Sequence, residues 1–264
     1  MPVSPAEPET PKKPDPKAPT VRPKIEPVKK PKLPEVKPDI PDIEYTGSGI
    51  ELPLMPAVAA VPVMPALPNV PHVNIPASKQ TIDVNFYGAN LQGEVPTGVM
   101  PLLDEYPIID IPTVAASVVD KSLRDDVVKQ IRAQVQDLGE QEAANRILRF
   151  IQMGFPYATD DEQFHREKYF YFEESLYYAK NDCEDRAIFY AYLVHEILGL
   201  DVHLIQFTGH ECTAVAFHEP VENGTSYEYK GKKFYICDPT YIGAKIGKCM
   251  PSYAKESPQI EVWY

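Results

Sequence analysis

The distribution of proline along the chain constrains its fold more than any other feature of the sequence. Of the 29 prolines in 264 residues, 20 fall within the first 76 positions. Proline has no amide proton and blocks the helical turn before it, so this segment cannot form helices or central strands. The remaining residues are numerous enough for one ordinary hydrophobic core. The sequence therefore predicts a Pro-rich extended or disordered arm at 1–76 and one globular domain at 77–264.

The arm has two halves of different composition. Residues 1–44 alternate proline with Lys, Glu, Asp and Val, which favours extended polyproline II. The pattern resembles the Pro-Glu/Pro-Lys spacers of energy-coupling proteins that cross the periplasm, although a linker without a partner explains it equally well. Residues 50–76 keep the prolines but lose nearly all charge. Since a solvated linker does not expose so much apolar surface, we expect this half to lie along the domain or to dock on a partner.

Composition excludes several classes of protein. The net charge of -12 resides almost wholly in the globular part. An acidic domain without a basic stripe argues against nucleic acid and against an anionic membrane surface. No apolar run is long enough to span a membrane, and no signal peptide follows Met1. The four cysteines lack the paired spacing of a closed zinc site, so we expect neither a metal nor another cofactor.

The globular part changes its apolar period along the chain. In residues 81–91, Ile82, Val84 and Phe86 alternate with polar side chains and predict a strand that ends near Gly88. From 120 to 154 the apolar positions recur at helical spacing and predict two core-facing helices, the first ending at Gly139. Residues 157–180 are rich in aromatic and charged side chains and predict a structured loop with one helical turn near Glu173. The apolar stripes of the two helices are Val127, Val128, Ile131, Val135 and Leu138, then Ala144, Ile147, Leu148 and Ile151.

A third helix and a series of strands complete the domain. Asn181 or Asp182 can cap a helix that Gly199 closes, which puts Cys183 in its first turn. Alternation then predicts antiparallel strands at 201–207, 210–217 and 232–238. Helices followed by an antiparallel sheet indicate the α+β class.

A thiol at the start of a helix lies where chemistry can use it. Unpaired N–H groups and the helix dipole stabilise a thiolate, which lowers the cysteine pKa from about 8.5. The same N–H groups can hold an oxyanion. Such a nucleophile needs a base that later acts as an acid, and the base needs an acceptor that fixes its tautomer. His210 opens one predicted strand and Asp238 ends another, so these two residues are the candidates.

Strand alternation places several residues around this site. His210, Cys212 and two alanines share one strand face, which we expect to meet the Cys183 helix together with the face of Asp238. Cys212 either borders the site or serves as a small apolar filler, and Cys237 is expected to be buried. A metal site built from Cys183, Cys212, His210 and Asp238 would lack paired local spacing.

Other polar residues have weaker claims to a role. His218 lies at the far end of its strand and is a poor alternative base, while His195 and His203 have the pattern of surface or helix-end residues. Arg186, one turn after the nucleophile, is expected to hold a carboxylate such as Glu173 or Glu174. An isolated cysteine is more often a packing residue than a nucleophile, so the order of the three elements carries the hypothesis.

Three motifs, DCEDRA, GHECTAVAF and YICDPTY, resemble the transglutaminase-like domains of the papain superfamily, in particular a bacterial envelope-associated branch. That family places its nucleophilic Cys at a helix start, its His at the next strand start and its Asp before a Pro-Thr pair. The resemblance, which extends over about 80–255, implies that Cys183, His210 and Asp238 are catalytic. The chain departs from many relatives at Glu211 and Cys212, where they have Ala-Trp, and this changes the wall of the substrate groove.

The resemblance also implies a function. We expect a thiol-dependent hydrolase or acyltransferase that acts on amide or isopeptide bonds of a peptide or protein substrate, with hydrolysis the commoner outcome. The Cys183 N–H is expected to bind the oxyanion with help from Tyr177 or Tyr178, and Cys212 to border the substrate. The alternative is a non-catalytic module held in a cell-envelope assembly by its arm. The periplasm or cell envelope is the expected location, with any export signal removed from this chain, and the cytoplasm is the alternative.

Overall fold

A computed structural model describes residues 76–262. The arm predicted at 1–76 lies outside the described residues except for Pro76, and so does the expectation that its apolar half docks. Within 76–262 no helix combines the length and the apolar character that crossing a membrane requires.

The described residues form short strands, then helices, then a sheet. The strands are β1 (Lys79–Thr81), β2 (Asn85–Phe86), β3 (Ala89–Asn90), β4 (Glu94–Pro96), β5 (Asp201–Phe207), β6 (His210–Ala216), β7 (Ser226–Tyr229), β8 (Lys232–Cys237) and β9 (Gln259–Val262). The helices are α1 (Met100–Glu105), α2 (Ile111–Ala116), α3 (Lys121–Val135), α4 (Glu140–Gly154), α5 (Asp160–Phe164), α6 (Phe172–Tyr177) and α7 (Cys183–Leu198), with a 3-10 turn at Thr97–Val99. This confirms the predicted α+β class.

The main sheet is antiparallel, with its five strands in the order β7-β8-β6-β5-β9. Strands β5 and β6 form a tight hairpin in which Phe207 pairs with His210 across a two-residue turn. Gly209 in that turn has φ +72, a left-handed conformation that other residues adopt only at a cost. The hairpin therefore begins its second strand at the candidate base.

Helix α7 is the centre of the domain, because it packs against α3, α4 and the β5–β6 hairpin. Its buried side chains join the helices to the sheet face that carries Val202, Leu204 and Val215. The opposite sheet face has its own apolar cluster, made of Ile205, Phe207, Cys212, Ala214, Tyr227, Phe234, Ile236, Cys249 and Ile260. The sheet thus separates a large core on the α7 side from a smaller one on the other side.

The structure corrects several predicted boundaries. The strand predicted to end near Gly88 is shorter than expected: only Asn85–Phe86 form β2, which ends at a turn where Tyr87 and Gly88 both take positive φ. Helix α3 ends at Val135 and not at Gly139, since that glycine has extended backbone angles and is the N-cap of α4. The predicted loop at 157–180 contains two short helices, α5 and α6.

Candidate active site

The start of α7 is set by a reciprocal cap. The Asp182 carboxylate accepts a hydrogen bond from the Asp185 N–H at 3.4 Å, and the Asp185 carboxylate accepts one from the Asp182 N–H at 3.3 Å. This pair satisfies two N–H groups that a helix start leaves open. Helix α7 therefore begins at Cys183, as predicted, and the sulfur lies in its first turn.

His210 and Asp238 are joined directly. Nε2 of His210 lies 2.9 Å from Oδ2 of Asp238, and both side chains are buried. The other carboxylate oxygen of Asp238 accepts from the N–H groups of Thr240 and Tyr241 at 2.9 and 3.1 Å. The Asp238 carbonyl also accepts from the Gln152 amide at 3.0 Å. The carboxylate is therefore held in a fixed orientation before it meets the imidazole.

Cys183 lies near the residue that follows His210 in the chain. The backbone N–H of Glu211 is close enough to the Cys183 sulfur to donate a hydrogen bond to it. Because Asp238 occupies Nε2, Nδ1 is the His210 nitrogen left for the thiol. The structure joins His210 to Asp238 directly and brings the start of α7 to the residue that follows His210. That Cys183, His210 and Asp238 act together stays a prediction.

The sheet presents these residues differently from the prediction. Cys212 and Ala214, and by alternation His210, lie on the face opposite α7, since Val202, Leu204 and Val215 are the apolar side chains of β5 and β6 that pack with α7. The first turn of α7 instead approaches the end of β6 at the Glu211 backbone, and this contact does not involve the face that carries His210. The predicted face-to-face packing was wrong.

The thiol differs from the expected thiolate. Burial raises the pKa of Cys183, and the negative charge of Glu184 raises it further. The Cys183 thiol donates to Oε2 of Glu184 at 3.0 Å, which favours its protonated form. The expectation of a lowered pKa counted the N–H groups of the helix start but not the carboxylates of the same turn.

The predicted accessory residues are spread over the domain. Tyr178 stacks on Phe170 with ring centroids 4.8 Å apart and also contacts Phe164 and Tyr177, so these contacts hold it against the loop before α6. Tyr177 is half-buried against the main core. Cys212 lies next to His210 but is buried, which fits an apolar filler better than a groove wall. The oxyanion role of Tyr177 or Tyr178 stays a prediction.

Arg186 does not hold the predicted carboxylates. Glu173 pairs with Arg124 at 2.7 Å and Glu174 with Lys168 at 2.7 Å, both buried. Arg186 donates to the Phe155 carbonyl, and its guanidinium lies 5.3 Å from the centre of the Tyr157 ring. The partners come from distant segments, so chain proximity was a poor guide.

Two tyrosines near the site were missed by sequence reasoning. Tyr157 is 46% exposed, and Cys183 and Asp182 are among the charged neighbours that help to raise its pKa to about 12, after burial. The Tyr253 ring stacks on the His210 ring. Both tyrosines come from irregular segments, where no periodicity could have identified them.

An acidic cluster adjoins the first turn of α7. Burial, together with the charge of Glu184, raises the pKa of Asp160 to about 7 and that of Asp182 to about 8. Oxygens of Asp160, Glu167 and Glu184 lie within 4.8 Å of one another, as do those of Asp160, Asp182 and Asp185. These are groups that could hold a cation, as could His210, Cys212 and Asp238 if their mutual contacts were given up. Sequence spacing gave no sign of the acidic cluster.

A shallow groove with an internal volume of about 20 Å³ lies at the α1–α2 connection. Its walls are mostly aliphatic and tyrosine side chains: Leu103, Tyr106, Pro107, Ile108, Ile109, Val114, Tyr169 and Tyr171, with Arg166 and Lys168. Burial raises the pKa of Tyr169 to about 12, and the charges of Glu167 and Glu184 act in the same direction.

Comparisons with known proteins give a faint likeness. No family model and no curated protein matches the chain. Two solved structures of LapG from Legionella pneumophila, one of them EGTA-treated, are similar to it at 16% identity and a TM-score of 0.35. The likeness covers 59% of this chain and 81% and 83% of those chains. A TM-score of 0.35 is too low to assign a fold or a function.

Proposed function

We propose that this protein is a thiol-dependent hydrolase of amide or isopeptide bonds, with Cys183 as nucleophile and His210 as base. The observation that carries the proposal is the 2.9 Å hydrogen bond between the buried side chains of His210 and Asp238. Cys183, in the first turn of α7, is the proposed nucleophile. A buried carboxylate on one ring nitrogen fixes the tautomer and stabilises the imidazolium that forms when the other nitrogen takes a proton. The transglutaminase-like motifs of the sequence support the same assignment.

The raised pKa of the thiol defines the first step. Because Cys183 is protonated at neutral pH, Nδ1 of His210 removes its proton as the sulfur attacks the substrate carbonyl. The carbonyl oxygen becomes an oxyanion, which the Cys183 N–H can bind at the start of α7. The imidazolium then protonates the departing amine, and the C–N bond breaks to leave a thioester.

The second half of the reaction returns the enzyme to its starting state. His210 takes a proton from water, and the resulting hydroxide adds to the thioester carbonyl. Collapse of this adduct breaks the C–S bond, releases a carboxylic acid and returns the proton to the sulfur. An amine in place of water would give transamidation, so the same residues support either outcome.

A first experiment measures the reactivity of the thiols. Iodoacetamide labelling followed by peptide mass spectrometry should find Cys183 labelled first among the four cysteines. His210→Ala should slow this labelling at pH 7, because the base is gone. His218→Ala is the matched control, since that histidine is exposed and paired with Glu140 at 2.7 Å. Equal labelling rates in both variants would contradict the assignment of the base.

A second experiment looks for bond cleavage. The protein and its Cys183→Ala variant are incubated in ¹⁸O-water with a peptide library and, separately, with peptidoglycan fragments. Hydrolysis places ¹⁸O in the new carboxyl group, whereas transfer to an added amine does not. Products that appear equally with the Cys183→Ala variant would exclude cysteine catalysis.

A non-catalytic interaction module is the second candidate. It is favoured by the 3.0 Å hydrogen bond from the Cys183 thiol to Glu184, which holds the sulfur in its less reactive form. For either candidate we propose a location in the periplasm or cell envelope, on the strength of the Pro-rich arm. Labelling of Cys183 no faster than that of Cys249 would support the module, and fractionation of the native host would test the location.

A further inference from the structure

The Tyr253 ring covers one face of the imidazole ring of His210, the candidate base. Its ring stacks on the His210 ring with centroids 5.0 Å apart and only 10° between the planes. The same ring stacks on Phe207 at 5.1 Å and 21°. Since Phe207 and His210 are cross-strand partners at the turn of the β5–β6 hairpin, one tyrosine covers both.

The segment that carries Tyr253 is tied to this hairpin. Glu256 accepts from the hydroxyl of Thr208 at 2.7 Å and also from its N–H, and Thr208 lies in the turn itself. Within the segment, the Tyr253 N–H donates to the Met250 carbonyl and the Glu256 N–H donates to the Tyr253 carbonyl, both at 3.0 Å. The phenol ring is therefore presented to His210 by a loop anchored two residues away.

The imidazole needs such a constraint. The outer torsion of a histidine side chain is broad, so the single hydrogen bond to Asp238 does not by itself define where Nδ1 points. A flat ring against one face limits rotation and keeps water away from the bond between His210 and Asp238. A hydrogen bond between charged partners is stronger where water is excluded.

We propose that Tyr253 is a positioning residue that holds the His210 ring in the orientation in which Nδ1 meets the Cys183 thiol. This inference rests on the proposed function, in which His210 is the base. The ring performs the role and the hydroxyl is dispensable, because the contact is a stack of two planes.

The test compares Tyr253→Leu with Tyr253→Phe, which keeps the stack. The matched control is Tyr229→Leu, which removes a ring that lies 5.0 Å from the other buried histidine of the hairpin, His203. One measurement is the rate at which the His210 Nε2 proton exchanges with solvent, determined by NMR on histidine-labelled protein. The other is the rate of iodoacetamide labelling at Cys183.

Tyr253→Leu should speed the exchange and slow the labelling by about three- to tenfold, the range that loss of an aromatic pair gives. Tyr253→Phe and Tyr229→Leu should stay within about twofold of the unchanged protein for both measurements, since neither removes this stack. An unaltered exchange rate in Tyr253→Leu would overturn the proposal, and so would a Tyr253→Phe variant as impaired as Tyr253→Leu.

Another variant controls for the possibility that Tyr253→Leu fails to fold. Glu256→Ala releases the loop from Thr208 while leaving every ring in place, and it should give the same two changes at smaller size. The proton exchange does not depend on catalysis, so it separates the two ideas. If Cys183 labelling never depended on His210, the proposed function would fail while the exchange still reported whether Tyr253 orients the ring.

Discussion

Two histidines lie on the same face of the β5–β6 hairpin and differ in almost everything that matters for chemistry. His210, at the turn, gives one nitrogen to the carboxylate of Asp238. His203, in the register position opposite Ala214, gives Nδ1 to the hydroxyl of Tyr227 at 2.9 Å and stacks on Phe234. Both side chains are buried.

The difference teaches that burial does not make a histidine a base. Burial lowers the pKa of His203 to about 4, with the charge of Lys230 acting in the same direction and that of Asp201 opposing it. A phenol hydroxyl carries no charge that could stabilise an imidazolium, whereas a carboxylate does. The group that faces the ring therefore decides between a structural and a chemical role.

Replacing Asp238, the carboxylate partner of His210, should have the largest effect on activity. Asp238→Asn lets the introduced amide donate to Nε2 of His210, which forces the proton onto Nδ1 and prevents that nitrogen from taking the thiol proton. We expect cleavage of any library peptide that the protein hydrolyses to fall roughly 10³-fold or more in kcat/KM. Tyr227→Phe, at the other histidine, should leave kcat/KM unchanged. Activity above a tenth of the original in Asp238→Asn would show that His210 does not need a charged partner and would contradict this comparison of the two histidines.

Lowering the pH should reduce the free energy of unfolding through His203. The folded-state pKa of His203 lies below the unfolded value, so between about pH 6.5 and 4 only the unfolded chain binds the proton. The stability from the neutral ring is complete above that range and is lost as the pH falls through it, by about 3 kcal/mol. Urea unfolding at several pH values should show this loss relative to His203→Phe. Parallel pH curves for the two proteins would refute it.

The turns at the two ends of the sheet offer a finer comparison. Gly209 and Gly231 have φ of +72 and +76, and an added Cβ would meet open space at each. Gly209→Ala and Gly231→Ala should each cost about 1 kcal/mol from backbone strain alone. Thermal melts should therefore shift alike, while only Gly209→Ala slows Cys183 labelling, because it displaces His210. Equal labelling would mean that the turn does not position the base.

The smallest effect is expected at a third histidine. His218 is exposed and forms a surface ion pair with Glu140. His218→Ala should change the free energy of unfolding by less than about 1 kcal/mol and leave Cys183 labelling unaltered. If this substitution alone abolished activity, the base would have to be reassigned from His210 to His218.

Many of the helices and strands could be predicted because short stretches of sequence determine them. Periodicity identified α3 and α4, and the cap at Asp182 placed Cys183 at the first turn of α7. The start of β6 at His210 followed from alternation, and β8 ends at Cys237, one residue before the predicted end at Asp238. Helices α1 and α2 and strands β7 and β9 were missed, since each is short or lacks a clear period.

The sequence by itself determined the α+β class, the position of the thiol on its helix and the ends of the two strands, because capping and periodicity act over a few neighbouring residues. Only the tertiary structure decided that His203 is buried, that His210 meets Asp238 and that Tyr253 covers His210. Charge, burial and ring stacking depend on groups brought together from distant segments. For that reason the chemistry of the site is a property of the folded chain.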